Sequence, residues 1–169
     1  HATGCKHYDE SAKSMIALLR YGAGLPMNRL SELQKQLGIP LPASTQWDKV
    51  KEASEPLIPV YTALRRYAAQ GDVIHNDDTG MKVLSLRREI DEELKTKKGR
   101  IRTGIFTTGI VSITAERKIA LFFTGRQHAG ENFSDLLAER EEGLDPPIQM
   151  SDAKSGNTPK NAKVIESCC

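Results

Sequence analysis

The chain has 169 residues, and its 24 Lys and Arg against 22 Asp and Glu leave a net charge of +2. With 38% hydrophobic and 27% charged residues it can bury a core, which excludes wholesale disorder and fibrous repeats. The longest clean apolar run, 119–123, is far shorter than the roughly 20 residues of a membrane span. Three cysteines without zinc spacing form no disulfide framework, so a reducing cytoplasm is the expected compartment.

The first third of the chain has the apolar spacing of helices. Asp9 is placed to cap a first helix, in which apolar residues recur at helical spacing over 12–19. A second helix is predicted over 28–37 and ends at Gly38. These patterns, with the helix that follows, predict a helical segment over 1–70.

A third helix follows a Pro-rich turn, and Ser44 or Thr45 is placed to cap it. Pro56 and Pro59 are expected to kink or restart this helix. Two helices joined by a Gly-containing turn within 29–50 are compatible with a helix-turn-helix that enters the major groove. The third helix has few basic residues, so an ordinary αα-hairpin is the favoured alternative.

At Gly71 the hydrophobic period changes from 3.6 to 2, which predicts a second domain over 71–169. Its order is β-β-β-α-β, and the class is therefore α/β. The first strand is expected to begin at Val73. The others are expected within 103–114, 117–123 and 148–150, and a helix is expected over 130–139. Only one helix is available to cover the sheet after its first strand. Together with the non-Met start and the apolar last residues, this indicates a fragment of a longer protein.

A charged connector lies between the first two strands. Seven basic residues against four acidic ones give the segment 87–102 a net charge of +3. Composition alone favours a solvated connector, and the alternative is a contact with the DNA backbone. The basic residues are Arg87, Arg88, Lys95, Lys97, Lys98, Arg100 and Arg102.

Acidic residues stand beside two of the apolar strands: Asp77, or its neighbour Asp78, and Asp152. If the strands are adjacent, these carboxylates project into one crevice and can begin a Mg²⁺ site. Local sequence alone favours a plain turn at 77–80. The triplet Asp78-Thr79-Gly80 also matches the loop of aspartic proteases, but the match is short and a helical first third is foreign to that all-β fold.

A loop at 125–131 precedes the predicted helix. The free N–H groups of a helix N-terminus attract phosphate, and Arg126 and His128 could reinforce that attraction. An ordinary surface loop is the favoured alternative.

Several stretches, in order along almost the whole chain, resemble the DDE transposases of the bacterial insertion sequence 66 type. They are Leu18-Leu19-Arg20-Tyr21-Gly22-Ala23-Gly24-Leu25-Pro26, Leu37-Gly38-Ile39-Pro40-Leu41-Pro42 through Gln46-Trp47, His75-Asn76-Asp77-Asp78-Thr79, Thr107-Thr108-Gly109-Ile110-Val111, Ala120-Leu121-Phe122-Phe123-Thr124-Gly125-Arg126-Gln127-His128-Ala129-Gly130-Glu131-Asn132, and Ile148-Gln149-Met150-Ser151-Asp152-Ala153.

The resemblance implies an RNase H-like core that cuts DNA at transposon ends and joins the 3′ hydroxyl to target DNA. It implies two Mg²⁺ or Mn²⁺ ions, with Asp77 and Asp152 as catalytic, metal-binding carboxylates. The family's third acid, a Glu far downstream, has no counterpart here, so this chain alone is expected to be inactive. The implied partners are transposon-end and target DNA and further copies of the chain, with no membrane, in a bacterial cytoplasm at the nucleoid.

The candidate DNA contacts are basic: Arg126, His128, Lys97, Lys98, Arg100 and Arg102. An alternative function is a non-catalytic DNA-binding or assembly remnant of a decayed transposase. That alternative predicts no metal-dependent cleavage even when a Glu-bearing segment is supplied.

Overall fold

The computed structural model describes residues 8–96, 102–152, 154–160 and 162–168, which contain helices and a single mixed sheet. The helices are α1 Glu10–Ala17, α2 Met27–Gln36, α3 Ala43–Ser54, α4 Ile58–Ala69, α5 Leu84–Thr96 and α6 Ala129–Leu137. The strands are β1 Val73–Gly80, β2 Phe106–Ile113, β3 Lys118–Gly125, β4 Ile148–Ser151 and β5 Ile165–Cys168. The predicted α/β class, with helices preceding the sheet, is confirmed.

Contacts divide the chain into two units, His1–Tyr61 and Thr62–Cys169. In the first unit α1 begins where predicted, because Asp9 Oδ1 accepts the N–H of Ala12 at 2.9 Å. After α2, Gly38 takes a φ of 76°, a left-handed conformation that suits glycine at a helix end.

Four apolar side chains from different segments form the small core of the first unit: Ile16, Leu30, Leu41 and Val50. The predicted cap of α3 by Ser44 or Thr45 is wrong, because the helix already begins after Pro42, which supplies no side-chain cap. The predicted restart is confirmed: a 3₁₀ turn at Glu55–Leu57 contains the first proline and α4 follows it.

The second unit is built on five strands in the order β3-β2-β1-β4-β5. Strand β1 pairs antiparallel with β2 and parallel with β4, while β5 extends the sheet parallel to β4. The fifth strand occupies the region where the sequence indicated only the start of an apolar element. The mixed sheet and the element order agree with the RNase H-like arrangement that the resemblance implied.

The core of the second unit lies between α6, the end of α4 and one face of the sheet. Alternation along the strands selects the inward side chains, as in a half-buried antiparallel sheet. The buried core residues are Ala68, Ala69, Ile74, Ile110, Leu121, Phe133, Leu136 and Leu137.

Two further local predictions differ from the structure. The favoured turn at 77–80 is wrong, because β1 continues to Gly80, which pairs with Phe106 of β2. The connector is helical over its first part, where α5 buries Ile90, four residues after the half-buried Leu86. Sequence reasoning overlooked this helix because only a narrow face of it is apolar, so the helical spacing of apolar residues is weak. Of the helices described here, none has the length and apolarity that crossing a bilayer requires.

Candidate catalytic site

Two of the predicted carboxylates come from neighbouring parallel strands: Asp77 lies within β1, and Asp152 directly follows β4. His75 of β1 pairs with Met150 of β4, and Asp77 and Asp152 each come two residues later in the chain. Because β1 and β4 are parallel, both aspartates come at the carboxyl end of β4, while β1 itself continues to Gly80. The two side chains are exposed there.

The amide of Asn157 joins these two carboxylates. Its Nδ2 lies 3.4 Å from Asp77 Oδ1 and donates a hydrogen bond to Asp152 Oδ1. Asp77 Oδ1 also accepts the backbone N–H of Asp78 at 2.8 Å. The structure therefore brings Asp77 and Asp152 into one cluster, which we call the carboxylate pair.

A lysine already lies against the carboxylate pair. Lys154 Nζ is 2.9 Å from Asp152 Oδ2, and this hydrogen bond holds the pKa of Asp152 below its usual range. The same contact raises the pKa of Lys154, and the charges of Asp77 and Asp78 raise it further. The local field of this edge of the sheet therefore favours a cation.

Asp78, in contrast, is occupied by hydrogen bonds from the protein. Its Oδ1 accepts the hydroxyl of Thr108 at 2.6 Å, and its Oδ2 accepts the backbone N–H of Ala129 at 2.9 Å. The ring Nδ1 of His128 lies 3.1 Å from the same Oδ2. The side chain is only 11% exposed and holds the N-terminus of α6. We call this cluster the helix cap.

The described basic candidates each have a carboxylate partner. Arg126 Nη1 lies 2.9 Å from Glu93 Oε2 of α5, and Arg102 pairs with Glu131 of α6. His128 belongs to the helix cap, where its ring also packs on Phe106 with centroids 4.3 Å apart. A contact of any of these three residues with DNA stays a prediction.

The remaining DNA-contact candidates, Lys97, Lys98 and Arg100, lie outside the described residues. The sequence reasoning also missed two residues of the cluster, Lys154 and Asn157. A Lys and an Asn in a polar loop look like ordinary solvated residues. One weak signal was present: both residues come within a few positions after Asp152, which itself follows a strand.

The donor set of the carboxylate pair suits a hard cation. Mg²⁺ is commonly held by one or two carboxylates and several waters, and Asp77 and Asp152 supply two carboxylates. Within the described ranges, no group of three or more His, Cys, Asp or Glu side chains is arranged around a common metal position.

In the comparison with known families, residues 6–156 match the family described as Transposase IS66 family. Comparisons with curated proteins and with solved structures give no significant match. The matched range contains the helices of the first unit, the helix cap and both members of the carboxylate pair. Since the match covers most of the chain, and agrees with the resemblance seen in the sequence, this chain belongs to the IS66 family of transposases.

Proposed function

We propose that this chain provides Asp77 and Asp152 as metal-binding catalytic carboxylates for DNA cleavage and strand transfer in an RNase H-like core. Membership of a transposase family implies DNA as the substrate. One observation carries the proposal. Two exposed carboxylates, Asp77 in β1 and Asp152 after β4, both lie within hydrogen-bond distance of the Asn157 amide.

The electrostatics of the pair support a divalent cation as its ligand. The carboxylates are exposed and close together, and they already attract the ammonium group of Lys154. A Mg²⁺ or Mn²⁺ ion held there would activate an attacking hydroxyl or stabilise a leaving oxygen. Asp77 within β1 and Asp152 directly after β4 would hold the ion, and a second ion would need ligands beyond this pair.

The choice of Asp77 over Asp78 has its own structural support. Both oxygens of Asp78 accept hydrogen bonds from Thr108, Ala129 and His128. A metal ion would have to displace these donors and release the N-terminus of α6. Asp77 is exposed and accepts only from Asp78 N–H and Asn157 among the contacts described here.

We also propose that Arg102 and Arg126 contact DNA phosphates, together with the basic residues at 97–100. Each arginine would exchange a Glu partner for a phosphate, which guanidinium groups bind in the same geometry. Each such contact adds a salt-dependent increment with a slope near −0.9 on duplex DNA. An unchanged slope of log K against log salt in Arg126→Ala would remove that residue from the interface.

The decisive experiment is a Mg²⁺ titration of the whole chain followed by NMR, with Mn²⁺ broadening as a second probe. We expect saturable changes centred on Asp77 and Asp152, lost in Asp77→Ala and in Asp152→Ala. Glu116→Ala is the matched control, because this exposed acid lies in the β2–β3 turn, at the opposite end of the sheet.

The titration also separates the proposal from its rival. A folded chain that shows no change at either aspartate contradicts the metal-binding assignment. If such a chain still binds duplex DNA with a strong salt dependence, the non-catalytic DNA-binding function is the better description.

A further inference from the structure

The side chain of Asn157 is unusual for a loop residue because it is almost wholly buried. It is 1% exposed, yet its Nδ2 reaches Oδ1 of both Asp77 and Asp152. A buried amide aimed at two exposed carboxylates links the interior of the second unit to the candidate site. The role inferred below for Asn157 rests on the proposed function.

Two further buried amides fix the backbone of Asn157. Its carbonyl oxygen accepts Asn76 Nδ2 and Gln149 Nε2, each at 2.8 Å. Gln149 Nε2 also donates to Asn76 Oδ1 at 2.8 Å, which closes the network. Asn76 is 2% and Gln149 1% exposed, so the three amides form one buried polar cluster.

This cluster is costly for a purely structural element. Burial of polar groups is unfavourable unless each is hydrogen-bonded, and apolar side chains of similar volume would fill the same space. Within the described part of the chain, Gln149 Oε1 is buried with no hydrogen-bond partner. The burial of an amide oxygen without a hydrogen-bond partner does not stabilise the fold, so the cluster is better explained by the side chains that it orients.

The loop around Asn157 is also held from the side of α6. The N–H of Gly130 donates to the carbonyl oxygen of Gly156 at 2.8 Å. A Cβ on Gly130 would lie only 2.3 Å from the carbonyl oxygen of Thr158, so the helix and the loop approach as closely as glycine permits. The loop backbone is therefore fixed on both sides of Asn157.

We propose that Asn157 is a positioning residue, which holds Asp77 and Asp152 at the separation that a divalent cation requires. Two like charges side by side repel, and the amide N–H groups offset that repulsion before the ion arrives. Asn76 and Gln149 set the position of the amide. Asn157 thus acts on the ion through the two aspartates.

The test compares the Mg²⁺ affinity of wild type, Asn157→Ala and Asn157→Ser by NMR titration of the whole chain. We expect an affinity loss of about ten-fold in Asn157→Ala, since a hydrogen bond to a charged group is removed. Asn157→Ser keeps a hydroxyl donor and should recover part of that loss. Ser112→Ala is the control, because it removes another buried hydrogen bond of the same unit, to Ala68 O.

A second readout concerns the Asn157 side chain itself. Its NH₂ resonances should shift when Mg²⁺ is added to the wild-type chain and should move in Asp77→Ala and Asp152→Ala without metal. An Asn157 side chain that does not contact the two aspartates in solution would show neither response. This readout needs no variant of Asn157, so it holds even if Asn157→Ala fails to fold.

The outcomes separate this inference from the proposed function. If Asp77→Ala abolishes Mg²⁺ binding while folded Asn157→Ala binds like wild type, the positioning role is overturned and the carboxylate assignment stands. If the Asn157 NH₂ resonances do not respond to Mg²⁺, the positioning role is likewise overturned. If the wild-type chain binds no Mg²⁺, both ideas fail together.

Discussion

The carboxylate pair and the helix cap take consecutive residues of one strand, Asp77 and Asp78, and give them opposite surroundings. Successive side chains of a strand point to opposite faces, so one aspartate is exposed and the other is 11% exposed. The helix cap satisfies its carboxylate with donors from β2 and α6. The carboxylate pair leaves oxygen atoms at the surface beside a lysine.

This contrast teaches that residue type and sequence position do not separate a structural acid from a candidate catalytic one. What separates them is whether neighbouring elements already supply the donors. A carboxylate satisfied by the fold stabilises the fold, whereas an exposed pair of like charges is available to a cation.

The largest effect is expected for Asp78→Ala, which should lower the free energy of unfolding by about 3 kcal/mol. It leaves Thr108 and the first N–H groups of α6 without their acceptor, and a lost helix cap alone costs about 1 kcal/mol. Urea denaturation measures the change. Asp77→Ala is the matched control and should change stability by less than about 1 kcal/mol. Equal losses in the two variants would remove the distinction between the two clusters.

The next effect concerns the junction between the helix cap and the Asn157 loop. Gly130→Ala should destabilise the chain by about 2 kcal/mol, because the added Cβ would overlap the backbone oxygen of Thr158. Gly125→Ala is the control, since a Cβ there meets nothing within 4 Å. The variants are compared by thermal unfolding. A fully stable Gly130→Ala would mean that the loop is free to move away from α6.

A smaller effect is expected at the carboxylate pair itself. Lys154→Met should raise the Mg²⁺ affinity about five-fold at low salt, because one positive charge no longer competes near the ion. Lys160→Met, at another exposed loop position, is the control. Isothermal titration calorimetry at two salt concentrations measures both the gain and its screening. An unchanged or weaker affinity would mean that Lys154 does not oppose the ion.

The smallest effect is a pH dependence at the start of α6. The pairing with Arg102 holds the pKa of Glu131 below its ordinary value of 4.5. A lowered pKa stabilises the fold fully above pH 4.5, and this contribution is lost as the pH falls through the folded pKa. Arg102→Gln should therefore reduce stability at pH 7 and flatten its fall in the acid range. Unfolding midpoints from pH 2 to 7 test this, and identical profiles would contradict it.

Much of the fold could be predicted from the sequence, because the spacing of apolar residues and the residues that begin or end helices are local signals. Asp9 and Gly38 mark helix ends that the backbone itself requires. The strands of the second unit follow from alternation, and the element order matches the expected β-β-β-α-β with the helix α5 and the strand β5 added. These features depend on residues only a few positions apart.

The parts that sequence reasoning missed depend on distant partners. The 77–80 segment reads as a turn until β2 is available to pair with it. Asn157 reads as a loop residue until Asn76 and Gln149 enclose it. The sequence predicted that Asp152 lies next to the end of a strand. It did not predict the contact with Asn157, because no local sequence pattern indicates that an Asn in a loop is buried.

The Asn157 network also has a consequence for how the protein folds. Three of its hydrogen bonds join residues 73, 80 and 81 positions apart, whereas the β2–β3 hairpin closes over a few residues. Loops of that length carry a larger entropy of closure, so the hairpin is expected to form before β4 docks. During synthesis, the carboxylate pair and the Asn157 amide cannot come together until the chain has been made through Asn157. The nascent chain is therefore expected to pass through a stage with an ordered hairpin and no assembled carboxylate pair.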